Sequence, residues 1–293
     1  MQLPQATSCT LIICIYNQAP QLRQVLETIA NQSVTRFDII IADDGSSDNA
    51  EAVINDFRKQ HPGFELTHLW HEDKGFFKTI ILNKAFKAAS GDYIIVIDGD
   101  MLLQHRFIEN HLRHAQKDRV LCGFRGVKLG RKITRELLDG KRPLSQNPLR
   151  LLWQTPCGKV EEGSRGIVIH NRWLRSLIAR RSKRLAGCNF STYRENLFAV
   201  NGMDETILVY GFEDFELGHR LILSGVQISD VTRLCNTYHL HHLKRSSGDI
   251  SDIKQNIINS TAVQCRYGLQ TLASGSSIED FMPADCSTLP STS

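Results

Sequence analysis

The chain has 293 residues, of which 41% are hydrophobic and 23% are charged, and its formal net charge is +4. These values are ordinary for a globular protein with one large domain or two small ones. The positive charge is too small to indicate a nucleic-acid-binding protein. No apolar stretch approaches the length of a membrane span, and residues 1–8 lack the basic and apolar regions of a signal peptide.

The eight cysteines are scattered along the chain without C-x-x-C spacing. Cys9 and Cys14 lie in an apolar run, where a small hydrophobic side chain is the simpler role. We therefore expect free thiols in a reducing compartment, and hence a cytoplasmic protein.

The first hundred residues alternate between strand-like and helix-like patterns. Apolar, β-rich runs predict strands, and apolar residues at helical spacing predict the helices between them. The predicted strands are residues 9–16, 37–42, 64–70 and 93–97, and the predicted helices include residues 20–29, 52–57 and 79–89. This alternation predicts an α/β fold with a mostly parallel, Rossmann-like central sheet flanked by helices.

The regular alternation ends near Asp100. Residues 107–115 predict a helix, residues 120–127 a strand, and residues 128–165, rich in charge, Pro and Gly, an irregular excursion. Further on we expect a basic amphipathic helix at 172–185, strand and turn at 189–200, a helix at 215–223, a last strand at 226–231 and a terminal helix at 249–270. The Ser- and Pro-rich residues 273–293 predict a disordered tail.

Asp98-Gly99-Asp100 directly follows the fourth predicted strand. The carboxyl ends of parallel strands are where open α/β sheets bind ligands. Carboxylates two residues apart can hold a hard divalent cation, and the intervening glycine lets a phosphate approach closely. Acidic residues also end strands as plain solvated turns, so the motif alone is a weak signal.

Two further polar loops follow predicted strands. Tyr16-Asn17 ends the first strand, and the loop at 43–48 ends the second. Asp, Gly and Ser also favour ordinary turns. In the functional interpretation, Asp44 accepts a hydrogen bond from a uracil or guanine ring. Because these loops and Asp98-Gly99-Asp100 converge on one sheet edge, the sequence favours a nucleotide site there.

Glu213 and Asp214 open a predicted helix. Acidic residues favour helix N-termini through the helix dipole, which is the simpler interpretation. The alternative is a general base that deprotonates a sugar hydroxyl, with the neighbouring carboxylate holding the acceptor.

Cys235 and three histidines cluster after the last predicted strand. Their spacing, C-x3-H-x-H-H, matches no common zinc pattern. We expect one imidazole of His239, His241 and His242 to complete an acidic divalent-metal site, and the others to be ordinary surface histidines.

The basic segment 172–185 mixes arginine and lysine with Trp173, Leu174 and Leu177. A solvated helix packed on the core is the simpler interpretation. The alternatives are peripheral contact with an anionic membrane surface or a grip on a phosphorylated acceptor.

Taken in order, these motifs resemble family 2 glycosyltransferases with the GT-A fold, over about residues 10–242. The later segments 201–205 and 211–221 are similar to the galactosyltransferase-type carboxyl region of chondroitin polymerases. The resemblance implies a single domain over residues 1–272. It would comprise a nucleotide-sugar half (1–100), a smaller acceptor and catalytic half (101–245) and a C-terminal helix (246–272).

The resemblance also implies the site residues of an inverting transfer from a nucleoside diphosphate sugar, expected to be a UDP-sugar. The donor would contact Tyr16, Asn17, Asp44, Lys78, Asn83, Asp98 and Gly99. The metal ion, Mn²⁺ or Mg²⁺, would be held by Asp98, Asp100 and His239, with His242 as the alternative to His239. Asp214 would be the base, and Glu213 and Phe212 would contact the acceptor.

The implied acceptor is a glycan or glycolipid of bacterial surface polysaccharide or lipopolysaccharide, modified at the inner face of the cytoplasmic membrane. Two alternatives remain at this level: a nucleotidyltransferase acting on sugar phosphates, and a non-catalytic nucleotide-sugar-binding module. The chain has neither a G-x-G-x-x-G fingerprint nor a Walker-type loop, which disfavours dinucleotide oxidoreductases and P-loop NTPases.

Overall fold

The computed structural model describes residues 8–178, 184–243 and 251–270. The first half confirms the predicted alternation. Its elements are β1 (Cys9–Ile15), α1 (Ala19–Ala30), β2 (Asp38–Asp43), α2 (Ala50–Gln60), β3 (Leu66–Trp70), α3 (Lys78–Ala88) and β4 (Tyr93–Asp98).

The second half is built from shorter elements. Its first part contains β5 (Met101–Leu103), α4 (Phe107–His114), β6 (Arg119–Cys122), β7 (Val127–Leu129), α5 (Arg131–Leu138), α6 (Pro148–Gln154) and β8 (Val160–Glu161). A 3-10 turn (Gly163–Gly166) precedes α7 (Arg172–Ile178), β9 (Asn189–Tyr193) and α8 (Arg194–Ala199). The remaining elements are α9 (Glu213–Leu223), β10 (Gln227–Asp230), β11 (Thr237–His239) and α10 (Ser251–Asn259).

The central sheet has seven strands in the order β10-β6-β9-β4-β1-β2-β3. Its strands pair in parallel, except that β9 lies antiparallel between β4 and β6. A second sheet of four short strands has the order β5-β11-β7-β8. The fold is therefore the predicted α/β class with a mostly parallel central sheet.

Side chains of β1 fill both faces of the central sheet, because successive residues of a strand point to opposite sides. Leu11 and Ile13 pack into the core on the side of α1 and α2, and Ile12 packs with α3 on the other side. All seven residues of β1 are buried, as expected for a parallel strand covered by helices on both faces.

Several predictions for the second half are wrong. Residues 128–165 are not irregular, since they form β7, α5, α6 and β8. The expected strand at 120–127 is divided between two sheets, because Phe124 and Gly126 adopt positive φ and break the extended chain.

The later elements also differ from expectation. Residues 194–199 form a helix, a further strand (β11) follows β10, and within the described part of 249–270 the helix α10 spans Ser251–Asn259. Of the predicted helix at 172–185, Arg172–Ile178 is helical, while 179–183 lie outside the described residues, as does the predicted tail. Among the described helices, none is long and apolar enough to cross a membrane.

Candidate active site

Three strand ends bring the predicted acidic loops together. In the parallel register, Cys14 of β1 is the partner of Asp98, and Ile15 is the partner of Asp43. The amide of Asp44 donates a hydrogen bond of 3.0 Å to the Ile15 carbonyl. The first, second and fourth strands therefore end at one edge, as the sequence predicted.

Gly99 holds the β4 turn against β1. Its amide donates a hydrogen bond of 2.8 Å to the Cys14 carbonyl. A Cβ atom there would lie 2.5 Å from Ile15 Cγ2 and 2.9 Å from Gln18 Oε1. Any side chain at this position would therefore separate Asp98 and Asp100 from the end of β1.

A cleft of about 310 Å³ opens at this edge, and we call it the donor cleft. Five of the seven predicted donor residues line it: Tyr16, Asn17, Asp44, Lys78 and Asp98. Asp100 and His242 line it as well, so the predicted nucleotide and metal residues share one cavity.

The two aspartates of the loop after β2, Asp43 and Asp44, make different contacts. Asp43 accepts hydrogen bonds from His68 and from the Ser46 amide, and these hold its pKa below the usual value although burial opposes them. Asp44 lines the cleft, contacts His71 Nε2 at 2.8 Å, and has its pKa raised by burial. Asp43 therefore shapes the turn, and Asp44 faces the cavity.

Tyr16 and Asn17 connect the loops that surround the donor cleft. Asn17 adopts a left-handed φ of 52°, donates its amide to Ser46 Oγ at 2.8 Å, and accepts from the Ser47 amide at 2.9 Å. The Tyr16 hydroxyl donates to Asp73 Oδ2 at 2.8 Å. Both side chains fix the geometry of the donor cleft as well as lining it.

The structure does not bring Asn83 to the donor cleft. This side chain is fully buried in α3, where it bonds to both the amide and the carbonyl of Met203 and to Glu205 Oε1. The family resemblance implied that Asn83 contacts the donor. Here the amide instead fastens α3 to the 201–205 loop, so the donor-contact assignment is not supported by this geometry.

Asp100 and two histidines form a compact group of candidate metal ligands. One ligand atom from each of Asp100, His239 and His242 lies within 4.8 Å of the others. Asp100 Oδ2 is 3.6 Å from His239 Nε2 and 3.4 Å from His242 Nε2. The resemblance implied one of these two imidazoles as the ligand, His239 or else His242, but the structure brings both to the same carboxylate.

The side chains of this group are suited to a divalent cation. Asp100 Oδ1 is buried and has no hydrogen-bond partner among the described residues, and an unpaired buried carboxylate oxygen is costly. Burial and the neighbouring His242 lower the pKa of His239 to about 4, which keeps its ring neutral and able to bind metal. A carboxylate with two imidazoles suits a divalent first-row transition metal ion.

Asp98 is oriented differently from Asp100. Its Oδ1 accepts a hydrogen bond of 2.9 Å from Lys78 Nζ, and it does not belong to the three-residue group. Burial and then the charge of Asp98 raise the pKa of Asp100 to about 6, so the two carboxylates interact. Metal ligation by Asp98 remains a prediction.

The other two residues of the suspected cysteine and histidine cluster lie elsewhere. Cys235 is fully buried in the core, and the His241 amide donates to Thr134 Oγ1 while its side chain is exposed. Neither belongs to the group around Asp100.

Lys78 connects the donor side with the opening of α9. Its ammonium lies 2.9 Å from Asp98 and 3.7 Å from Glu213 Oε1. Although burial opposes it, the charges of these two carboxylates hold the pKa of Lys78 well above its usual range. A lysine that is charged and enclosed here can also meet the charge of a diphosphate.

Asp214 has the environment expected of a general base. Burial and then the charge of Glu213 raise its pKa to about 6. The Gly187 amide donates to Oδ2 at 2.9 Å, and the Phe215 amide donates to Oδ1 at 2.7 Å. These two bonds fix the carboxylate, and its pKa lies in the range that general bases need near neutral pH.

Glu213 is 4% exposed and faces the interior of the site. Its Oε2 accepts from the Gly211 amide at 2.8 Å, while Oε1 faces Lys78. These contacts position the start of α9. Direct contact between Glu213 and an acceptor remains a prediction.

A second cleft of about 410 Å³ contains Asp214, and we call it the acceptor cleft. It shares Lys78, Asp98 and Tyr210 with the donor cleft. The two cavities therefore meet beside the Lys78–Asp98 pair, and Asp214 lies on the acceptor side.

Some residues of these clefts could not be predicted from the sequence. Arg125 and the Gly187-Cys188 turn line the acceptor cleft, and His71 supports Asp44. No local motif marks them, because each is brought in by packing. Phe212 lines neither cleft and instead packs edge-on against Phe215, with ring centroids 6.4 Å apart.

Comparison with known families explains this arrangement. Residues 10–182, more than half of the chain, match the family described as "Glycosyl transferase family 2". The chain belongs to glycosyl transferase family 2. Residues 175–243 match the description "N-terminal domain of galactosyltransferase". Together these matches confirm the resemblance inferred from the motifs, and the protein is a glycosyltransferase.

Curated relatives point the same way. Chondroitin synthase of Escherichia coli is 25% identical over 230 residues, covering 76% of this chain and 33% of that protein. The putative glycosyltransferase EpsH of Bacillus subtilis is 29% identical over 122 residues, covering 41% of this chain and 34% of that protein. The chain spans about a third of the length of these two relatives.

Solved structures confirm the GT-A fold. GalNAc-T7 with UDP, GalNAc and Mn²⁺ aligns with a TM-score of 0.58 at 12% identity, covering 92% of this chain and 56% of that one. The mannosyltransferase PcManGT of Pyrobaculum calidifontis, with GDP-Man and Mn²⁺, aligns with a TM-score of 0.53 at 16% identity, covering 82% of this chain and 60% of that one. At these identities the likeness concerns the fold.

Proposed function

We propose that this glycosyltransferase is inverting and metal-dependent, and that it moves a sugar from a UDP-sugar to a hydroxyl of a bacterial surface glycan or glycolipid. The observation that carries this proposal is the junction of the two clefts at Lys78 and Asp98, with Asp214 on the acceptor side. The chondroitin synthase relative and the neighbours bound to UDP or GDP-Man with Mn²⁺ support it.

The nucleotide would occupy the donor cleft. Asp44, held by His71, accepts a hydrogen bond from the base, and Tyr16 and Asn17 shape the surrounding loops. Lys78 lies beside Asp98 at the inner end, where its charge offsets that of the diphosphate.

The metal ion would be held by Asp100, His239 and His242, with Asp98 beside them. When bound, a divalent cation stabilises the charge that grows on the diphosphate leaving group. The protein's own part is to hold two imidazoles and a buried carboxylate in a fixed arrangement, with the His239 ring kept neutral by burial.

Asp214 would take the proton of the attacking acceptor hydroxyl. That oxygen then forms its bond to the anomeric carbon from the face opposite the diphosphate, and the bond to the diphosphate breaks. The two backbone amides that hold Asp214 keep its carboxylate oriented during proton transfer. Glu213 acts as a positioning residue through Lys78 and Gly211.

A panel of nucleotide sugars incubated with Mn²⁺ and a panel of glycan acceptors tests this function. We expect release of nucleoside diphosphate that requires both the metal ion and an acceptor. Release of pyrophosphate would instead indicate a nucleotidyltransferase. Tight nucleotide binding without turnover against a broad acceptor panel would indicate a binding module.

A further inference from the structure

The helix α6 presents its apolar side chains to solvent. Leu149, Leu152 and Trp153 are 74%, 37% and 73% exposed. Their i, i+3, i+4 spacing places them on one face, whereas Leu151 and Gln154 are buried on the opposite face. The helix therefore has one apolar contact with the protein and a second apolar face exposed.

The helix α7 has a similar exposed face. Trp173 is 67% exposed, and Leu174 and Leu177 are 45% and 63% exposed. Positions 173 and 177 are one helical turn apart and therefore neighbours on the surface. Large apolar groups concentrated on two short helices mark an interaction surface rather than scattered surface residues.

The helix α6 packs on the 3-10 turn, and Arg233 links that turn to the segment that leads into α7. A Cβ atom at Gly166 of that turn would lie 2.6 Å from Leu151 Cδ1, so α6 packs directly on it. Arg233 donates to Ser164 Oγ at 3.2 Å, and its own carbonyl accepts from the Ile169 amide, just before α7. We call the exposed apolar faces of α6 and α7 the α6–α7 patch.

Positive charge is concentrated in the segment that carries this patch. Residues 128–175 contain eleven lysines and arginines and four acidic residues, a net charge of +7. The chain as a whole carries +4, so the rest of it is net negative. Two copies of so basic a segment would repel each other, which disfavours a second copy as the occupant of the patch.

We propose that the α6–α7 patch binds an anionic membrane surface, with Trp153 and Trp173 inserted at the level of the lipid headgroups. Tryptophan and leucine on exposed helix faces, within a segment rich in lysine and arginine, suit that boundary. Each basic residue near an anionic surface adds to the attraction, and salt weakens it.

The same segment forms part of the acceptor cleft, because Lys128, Glu162 and Arg165 line that cavity. Binding through the patch would bring the acceptor cleft close to the membrane surface and to an acceptor carried on a lipid. The membrane contact goes beyond the proposed function and does not depend on it, since vesicle binding needs neither donor nor turnover.

Co-flotation with vesicles tests the proposal on the full chain. We expect binding to phosphatidylcholine vesicles that contain phosphatidylglycerol, weaker binding at high salt, and little binding to phosphatidylcholine alone. The double variants Leu149→Glu/Trp153→Glu and Trp173→Glu/Leu177→Glu should each weaken binding at least about tenfold, since each removes two large apolar side chains.

Ile258→Glu provides the matched control, because Ile258 of α10 is an apolar side chain of comparable exposure, at 47%, outside the patch. It should bind vesicles like the unmodified protein. The milder variant Trp153→Ser, checked by far-UV circular dichroism, separates lost binding from lost folding. Equal binding by the patch variants and the unmodified protein would overturn the proposal.

Tryptophan fluorescence supplies an independent test, since the chain has three tryptophans. With Trp70→Phe and Trp173→Phe, only Trp153 emits, and its emission should shift to shorter wavelength when anionic vesicles are added. An unchanged spectrum would contradict insertion. A concentration-dependent dimer without lipid, abolished by Trp153→Ser, would also overturn the proposal in favour of a second copy.

Discussion

Lys78 donates a hydrogen bond of 2.9 Å to Asp98, at the point where the donor and acceptor clefts meet. Glu213 lies 3.7 Å from the same ammonium. One partly buried cation therefore holds together a carboxylate from β4 and a carboxylate from α9, which are far apart in sequence. These contacts fix the charged groups around Lys78, as a preorganised site requires.

Replacing Lys78 with methionine should lower kcat/KM by about 100-fold, because the two carboxylates would repel each other and the diphosphate would lose a cation. Nucleoside diphosphate release from a UDP-sugar with Mn²⁺ measures this. Lys87→Met, at an exposed position in the last turn of α3, is the control and should leave kcat/KM unchanged. Activity within about twofold for both variants would remove Lys78 from the mechanism.

The metal site gives a prediction for three side chains at once. Alanine at Asp100, His239 or His242 should weaken Mn²⁺ binding at least about tenfold, since even supporting contacts of metal ligands have effects of that size. Electron paramagnetic resonance of free Mn²⁺ measures the affinity. His241→Ala removes an adjacent, exposed imidazole and should bind Mn²⁺ normally. If His241→Ala weakened Mn²⁺ binding as much as His242→Ala does, the ligand assignment would be wrong.

The raised pKa of Asp214 predicts how activity depends on pH. With a pKa of about 6, the carboxylate is protonated in acid, so kcat/KM should fall as the pH drops through about 6. A pH profile of donor turnover at saturating Mn²⁺ checks this. A profile that stays flat down to pH 5 would be inconsistent with Asp214 as the base.

The ionised carboxylate of Asp214 should also lower the free energy of unfolding above neutral pH, because burial disfavours its charge. The folded protein holds this proton up to about pH 6, whereas an ordinary aspartate loses it near 3.8. The stability that comes from holding this proton is therefore fully present below about pH 3.8, and it is lost as the pH rises through the folded-state pKa of about 6. Asp214→Asn should be at least as stable as the unmodified protein at pH 8, as measured by urea unfolding.

Asn83 should act as a structural residue rather than as a donor contact. Asn83→Ala leaves the amide and carbonyl of Met203 and the carboxyl of Glu205 without a partner, which should lower the free energy of unfolding by about 2–4 kcal/mol. Urea unfolding measures this loss, and the donor KM should change little. Asn31→Ala, an exposed residue with one local bond, is the control. A large rise in donor KM with normal stability would restore the donor-contact assignment.

The first half of the fold could be predicted because buried parallel strands are continuous apolar runs. The run ending at Asp98 is an example, since all its residues before that aspartate are buried. The position of the acidic loops followed directly, because parallel strands end at one edge. Asp44, Asp98 and Asp100 were therefore placed together correctly.

Several elements in the second half of the fold could not be predicted from the sequence, for physical reasons. The helix α5 has only eight residues, and its buried apolar positions are Ile133 and Leu137, too few to establish a helical period in the sequence. β11 has three residues and depends on pairing with β5 and β7, which sequence periodicity does not reveal. For the same reason the sequence offered His239 and His242 as alternatives, whereas folding around β11 brings both to Asp100.

The variant Asp214→Asn tests the central claim most directly, because it removes the proposed base while keeping the size of the side chain. Donor affinity, measured by isothermal titration of a UDP-sugar with Mn²⁺, should stay within about twofold of the unmodified protein. Transfer to an acceptor should fall by about 10²–10⁴-fold, the usual contribution of a general base. Transfer at an undiminished rate with normal donor binding would contradict the account.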